Sequence, residues 1–195
     1  MSCPNVTDLF KPGSFFLTRQ TGRNGRLVAA AQSLVRGAST YTHSGIVLGG
    51  GEVLEALPGG AAISPLSKIT DSGPVLVCDR PVRTYVENHP FLDSTDAEVD
   101  YWIRQRVVGA ARTLEGTPYS WLDYAAIGMA EWKIPGWQLV RRRVESSEHL
   151  ICSALVDRAY RWAGIELFDD GRLVGDVTPW DLAEYAAAGT VTTCC

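Results

Sequence analysis

The sequence predicts an α+β fold, with an antiparallel sheet formed mainly before position 80 and helices packed against it. Three observations carry that reading. Short β-prone runs recur through the first eighty residues, and a glycine triplet, Gly49-Gly50-Gly51, joins two of them as a hairpin. From Thr95 onward the apolar spacing lengthens to a helical period. The order of elements therefore separates strands from helices.

Taken in order, Gly13 to Arg19 carries Phe15-Phe16-Leu17-Thr18, a short strand, and Arg26 to Arg36 places Leu27, Val28, Ala31, Leu34 and Val35 on one helical face. Thr42 to Leu57 reads as the hairpin, with Gly45-Ile-Val-Leu48 and Val53-Leu54 flanking glycines that supply positive φ at the turn. Pro58 to Gly73 is rich in Gly, Ser and Pro and reads as a loop with a brief strand at Ala62-Ile63-Ser64; Pro74-Val-Leu-Val-Cys78 is the next strand. Thr95-Asp-Ala-Glu98 is a capping box opening a helix in which Val99, Trp102, Ile103, Ala110 and Leu114 repeat up to Gly116. A helix covers about Trp121 to Trp132, and another runs from about Cys152 to Ala163, where Gly164 caps it. Thr178-Pro-Trp-Asp181 has the N-cap and first-turn proline of a short closing helix.

Composition bounds the rest. The chain has 195 residues, 46% of them hydrophobic and 21% charged, without repeats or a linker long enough to separate domains, so one domain over 1–195 is expected. A net charge of -4 gives no basic field for nucleic acid. No apolar run approaches the roughly 20 residues of a membrane span. The opening residues lack the basic and apolar regions of a Sec signal, so the expectation is a protein made and kept in the cytoplasm, leaving it only by a non-Sec route or with a phage particle. Cys3, Cys78, Cys152, Cys194 and Cys195 are odd in number and form no CxxC pair, which argues against a disulfide scaffold. His43, His89 and His149 share no metal-ligand spacing, so neither a metal nor another cofactor is expected. The tail 190–195, ending Cys194-Cys195 without a C-a-a-X box, reads as an exposed flexible terminus.

Chemistry concentrates at three positions. Cys152 opens a helix, where unpaired amides and the helix dipole stabilise a thiolate and can bind an oxyanion; alone, a cysteine before an apolar helix is more often a packing residue. His43 enters the hairpin strand in Thr42-His-Ser-Gly-Ile-Val-Leu48 and could serve as general base. Glu55 lies between Leu54 and Ala56, where the pattern wants apolar groups, and a buried acid needs a partner. Register decides whether His43 is that partner. If Leu48 faces Glu52 across a three-residue loop, position 45 opposes 55, and His43 and Glu55 become diagonal neighbours about 7–8 Å apart at the backbone. If Leu48 faces Val53, the two point to opposite faces. Cys78, in an apolar strand, reads as core. His149, three residues before Cys152, ranks below His43 as base because it precedes the helix and does not face it from a strand.

The segments Thr42-His-Ser-Gly-Ile-Val-Leu-Gly-Gly-Gly-Glu-Val-Leu-Glu-Ala56 and Leu150-Ile-Cys-Ser-Ala-Leu-Val-Asp-Arg-Ala-Tyr160 resemble the circularly permuted branch of the NlpC-type papain-like cysteine hydrolases, the YiiX/YebB-like proteins, a branch shared with lecithin-retinol acyltransferase-like enzymes. The histidine strand precedes the cysteine helix, as the permutation requires. Lys11-Pro-Gly-Ser-Phe-Phe-Leu17, Gly116-Thr-Pro-Tyr-Ser-Trp121 and Thr178-Pro-Trp-Asp-Leu182 resemble its opening strand, the segment before the cysteine and the closing segment. Ser44 departs from the pattern, standing where the family has an apolar residue, and Leu122 to Ser147 has no clear counterpart. The resemblance implies a papain-like sheet or half-barrel packed on helices, with Cys152 as nucleophile, His43 as base and then acid, and Glu55 orienting the imidazole. Tyr119, Ser153 and Ser44 are the candidate substrate-binding or oxyanion residues.

The activity expected from this is cleavage of an amide, in a peptide, isopeptide or peptidoglycan-type substrate, or of an ester, through a covalent acyl-enzyme. The branch also implies a different class, lipid acyl transfer or phospholipase action. For that reading Trp132, Ile134, Pro135, Trp137, Leu139 and Val140, followed by Arg141-Arg142-Arg143, would touch anionic lipid, with 133–149 serving as a lid. A third class is a non-catalytic binding module on the same fold.

Overall fold

The β-prone runs of the first eighty residues pair into one sheet. The computed structural model describes residues 9–19, 41–57, 59–89, 97–118 and 152–188, and the backbone of 192–194. Strands β1 (Phe15–Thr18), β2 (His43–Gly49), β3 (Glu52–Leu57), β4 (Gly60–Pro65), β5 (Val75–Cys78) and β6 (Thr192–Cys194) form a sheet in the order β4-β3-β2-β1-β5-β6. Every neighbouring pair is antiparallel. The helices are α1 (Leu66–Thr70), α2 (Arg80–Glu87), α3 (Ala97–Arg112), α4 (Cys152–Trp162) and α5 (Pro179–Ala187). This is an α+β architecture; the segments read as helices at Arg26 to Arg36 and Trp121 to Trp132 lie outside the described residues.

Apolar residues at both parities of the central strands bury both faces of the sheet. On one, Phe15, Leu17, Ile46, Leu54 and Leu76 pack with Val82 of α2, Ile103 and Val107 of α3, Leu155 and Ala159 of α4, and Leu182 of α5. The other face carries a smaller cluster of Phe10, Phe16, Val47, Val53, Val75 and Val77, closed by Ile69 of α1. At about 25 cal/mol per Å² of apolar surface removed from water, the helix-bearing face supplies most of the hydrophobic stabilisation.

Four stretches of the chain differ from the sequence reading. The Pro58 to Gly73 segment is not a loop with a brief strand: Gly60–Pro65 pairs along the whole of β3, and the chain then enters α1. Pro65 fits an edge strand, because among the described residues no further strand pairs beyond β4 to need its missing N–H. Helix α2 escapes a periodicity argument because only two turns form, anchored by Val82 and Val86 with Pro81 in the first turn, too short for a periodic signal. In α3 the buried stripe is Ile103, Val107, Val108 and Ala111, while Trp102 is 59% exposed with its indole N–H donating to Glu98. Trp102 stands about 100° around the helix from Ile103, off that stripe. Finally, the tail read as a flexible terminus contributes Thr192–Cys194 as a strand beside β5.

Candidate active site

The hairpin geometry determines whether a base and an acid meet. Gly50 and Gly51 both have positive φ, 62° and 79°, as a two-residue type I′ turn requires, and Gly49 pairs with Glu52 across it. That turn alone would set His43 and Glu55 on opposite faces. Between Val47 and Gly49 the register shifts, so the body of the hairpin pairs Val47 with Val53, Ile46 with Leu54 and Gly45 with Glu55. One extra residue in β2, a bulge, restores the odd register and brings both side chains to one face. The His43 ring nitrogen Nε2 then lies 2.7 Å from Glu55 Oε2, with the two side chains 4% and 1% exposed.

Gly45 makes the approach possible. A Cβ there would stand 2.4 Å from the Leu54 carbonyl oxygen and 2.7 Å from the Phe16 ring, so only glycine lets that ring lie across the strand. Phe16 in turn meets the His43 imidazole edge-on, with ring centroids 6.4 Å apart.

The other carboxylate oxygen of Glu55 accepts from Lys68 Nζ on α1 at 2.5 Å, and the same ammonium reaches Ser64 Oγ at 3.3 Å. Sequence reasoning misses Lys68, because the segment carrying it reads as loop. Burial by itself would raise the Glu55 carboxyl, yet hydrogen bonds from His43, Lys68 and Ser64 overcome it and bring the pKa down to about 2. Burial likewise disfavours the charged His43 ring, but hydrogen bonds with Cys152 and Glu55, and the negative charge of both partners, raise it to about 9. With Nε2 committed to Glu55, Nδ1 is the ring nitrogen left for the thiol.

Cys152 is the first residue of α4 and is buried, at 2% exposure. Helix α4 is held along its length. Ser153 Oγ donates to the Val177 carbonyl at 2.6 Å, Tyr160 Oη donates to the Gly13 carbonyl at 2.6 Å, and Arg161 reaches the Arg172 carbonyl at 3.0 Å. Arg106 donates to the Ala163 carbonyl beyond the helix end at 2.6 Å, where a cation complements the dipole. These bonds fix the helix tip that carries the sulfur. The first-turn amides of an α-helix have no carbonyl of their own helix to bond, so a helix tip favours a developing oxyanion.

The remaining candidates divide. Ser153, expected to bind substrate, is fully buried with its hydroxyl spent on Val177, so its side chain serves the fold and only its backbone amide belongs to the helix tip. Ser44 neighbours His43 in β2 and therefore points to the opposite face; it is fully buried, and its hydroxyl has no hydrogen-bond partner among the described residues. Gly116 and Thr117 dock on β4, the Gly116 N–H on the Ala61 carbonyl and the Ala61 N–H on the Thr117 carbonyl, both at 2.8 Å. Tyr119, two residues on, lies outside the described residues, as do His149 and the whole Trp132 to Arg143 segment with its lid. Cys78 is buried in β5, and burial pushes its thiol up to about 11. Among the described residues no group of three His, Cys, Asp or Glu side chains is placed to hold a metal, and no helix is long and apolar enough to cross a membrane. In comparisons with known proteins, no family model and no curated protein matches the chain.

Proposed function

We propose that this chain is a thiol hydrolase of the permuted papain-like, YiiX/YebB-like kind, cleaving an amide or ester bond through a covalent acyl-enzyme. The observation that carries the reading is the His43 imidazole bonded at once to a buried carboxylate and to a thiol at a helix tip. Three residue types in that chain of contacts are the ones nucleophilic acyl transfer needs.

In the first half-reaction His43 holds the proton of Cys152 on Nδ1. The sulfur attacks the carbonyl carbon, a C–S bond forms, and the oxyanion meets the amides of the first turn of α4. The imidazolium gives its proton to the leaving nitrogen or oxygen as that bond breaks. In the second half-reaction His43 takes a proton from water, the hydroxide attacks the thioester carbon, and the C–S bond breaks to release a carboxylic acid. Glu55 holds the ring tautomer that faces sulfur and stabilises the imidazolium throughout.

An activity-based acyl probe tests this. Wild type is expected to label at Cys152 and Cys152→Ala not to label, and a panel of peptide amides, isopeptides, thioesters and phospholipids then identifies the acyl group. Equal labelling of wild type and Cys152→Ala, or turnover of every class by Cys152→Ala, overturns the reading.

A further inference from the structure

We propose that Lys68 is a positioning residue for this site, an ammonium counter-ion that holds Glu55 in place behind His43 and limits how tightly the carboxylate binds the imidazolium proton. The inference rests on the thiol-hydrolase reading and adds a fourth member to its chain of contacts.

Each oxygen of Glu55 has its own partner: Oε2 meets His43 Nε2 at 2.7 Å and Oε1 meets Lys68 Nζ at 2.5 Å. The carboxylate is 1% exposed, so its orientation is set by these partners and Ser64 and not by water. Lys68 itself is 50% exposed, an unusual place for a lysine to spend its charge inward unless the segment directs it there. The segment does so. Leu66 N–H binds the Gly51 carbonyl at 2.8 Å at the hairpin turn, and Ile69 is buried in the smaller apolar cluster, so α1 is pinned on both sides of Lys68. Ser64 on β4 takes a second hydrogen of the ammonium at 3.3 Å. The titratable groups in line with it are Glu55 on β3, His43 on β2 and Cys152 at the start of α4.

A lone carboxylate behind the ring would lean fully on the imidazolium. The ammonium on its far oxygen draws some of that charge away and repels the imidazolium directly, so the ring releases its proton more readily to the leaving group in the first half-reaction. Removing the cation should therefore make His43 hold its proton to higher pH, and let Glu55 rotate.

The test is a ring-nitrogen NMR titration of His43 in wild type, Lys68→Met and Lys68→Arg, alongside alkylation rates of Cys152 and Cys78. In Lys68→Met the His43 midpoint is expected to rise by about half a pH unit, a size set by a partly solvated charge a few Å beyond the carboxylate. Lys68→Arg, which keeps the charge, is expected to return it to the wild-type value. An unchanged midpoint in Lys68→Met, or an arginine variant displaced as far as the methionine one, overturns the proposal. The alkylation arm separates the two ideas: a wild-type Cys152 no more reactive than Cys78 removes the thiol-hydrolase reading, while the titration still decides the role of Lys68.

Discussion

Cys78 and Cys152 are both buried, 5% and 2% exposed, and both belong to the apolar cluster between sheet and helices. Their neighbours set them apart. Cys78 sits within β5, where burial drives its thiol up to about 11 and the backbone of Arg80 only partly offsets that. Cys152 sits at a helix tip against an imidazole that is itself backed by Glu55 and Lys68. Burial alone makes an inert thiol. On the proposed reading reactivity comes from the group across from the sulfur, and the two cysteines form an internal control for that claim.

The widest separation should appear on deleting each sulfur. Cys152→Ala is expected to lower turnover by about 10⁴-fold or more, since nothing else can carry the acyl group. Cys78→Ala should leave turnover within about twofold and cost about 1–2 kcal/mol of stability as a small cavity, read as a shift in denaturant midpoint. Loss of activity in the Cys78 variant with retention in the Cys152 variant would reverse the comparison.

Next in size is the imidazole. His43→Ala should slow alkylation of Cys152 at neutral pH by about 10²-fold or more while leaving Cys78 unchanged. The ring also sets a pH window. Its folded pKa, about 9, stands above its ordinary 6.5, so the stability it contributes is complete below 6.5 and is lost as pH rises through about 9. Glu55 runs the other way: lowered from 4.5 to about 2, it contributes fully above 4.5 and loses that contribution as pH falls through about 2. Turnover, which needs an imidazolium to protonate the leaving group, should fall above about pH 9, whereas alkylation of the thiolate should not. Parallel pH profiles for the two would remove His43 from the acid role.

A smaller effect is expected at the residue that lets base and acid meet. Gly45→Ala forces a Cβ against the Leu54 carbonyl and the Phe16 ring, and about 1–3 kcal/mol of destabilisation follows from such overpacking. Because Phe16 backs His43, Cys152 should lose reactivity in the same variant. Full Cys152 reactivity in a destabilised Gly45→Ala protein would detach the Phe16 contact from the site.

The site is more legible in the sequence than the elements around it. Cys152 stands out because it opens a helix, His43 because it enters the hairpin strand and Glu55 because an acid interrupts an apolar pattern, and the two hairpin registers form a binary choice that the glycine triplet alone leaves open. The bulge at Leu48 makes the choice, and a bulge has no composition of its own: Val47-Leu48-Gly49 reads the same bulged or straight. Lys68 is invisible for a different reason. Its meaning depends on β4 lying beside β3 and on a one-turn helix pinned by Ile69, and neither leaves a periodic trace in a Gly-, Ser- and Pro-rich stretch. Ser153 shows the opposite error. Proximity to Cys152 suggests substrate binding, yet on a helix the next side chain points about 100° away, here into the Val177 carbonyl. Thr178 is readable because a capping box is local chemistry: its side chain accepts from the Asp181 N–H at 3.2 Å, and Asp181 accepts from the Thr178 N–H at 2.8 Å.

That cap offers the smallest perturbation and the sharpest use of the two cysteines. Thr178→Ala should cost about 1 kcal/mol, or about 2–4 °C in melting temperature for a chain of this size. The change removes the cap of α5 and leaves both cysteines in the chain. A buried thiol that reacts only when the protein opens gains reactivity in proportion to the open population, about tenfold per 1.4 kcal/mol lost. A thiol that reacts from the folded state gains nothing. The Cys78 rate should therefore rise about fivefold in Thr178→Ala and the Cys152 rate should stay where it is. If both rates rise together, Cys152 also waits for opening, and the imidazole beside it in the folded protein is not what makes it react.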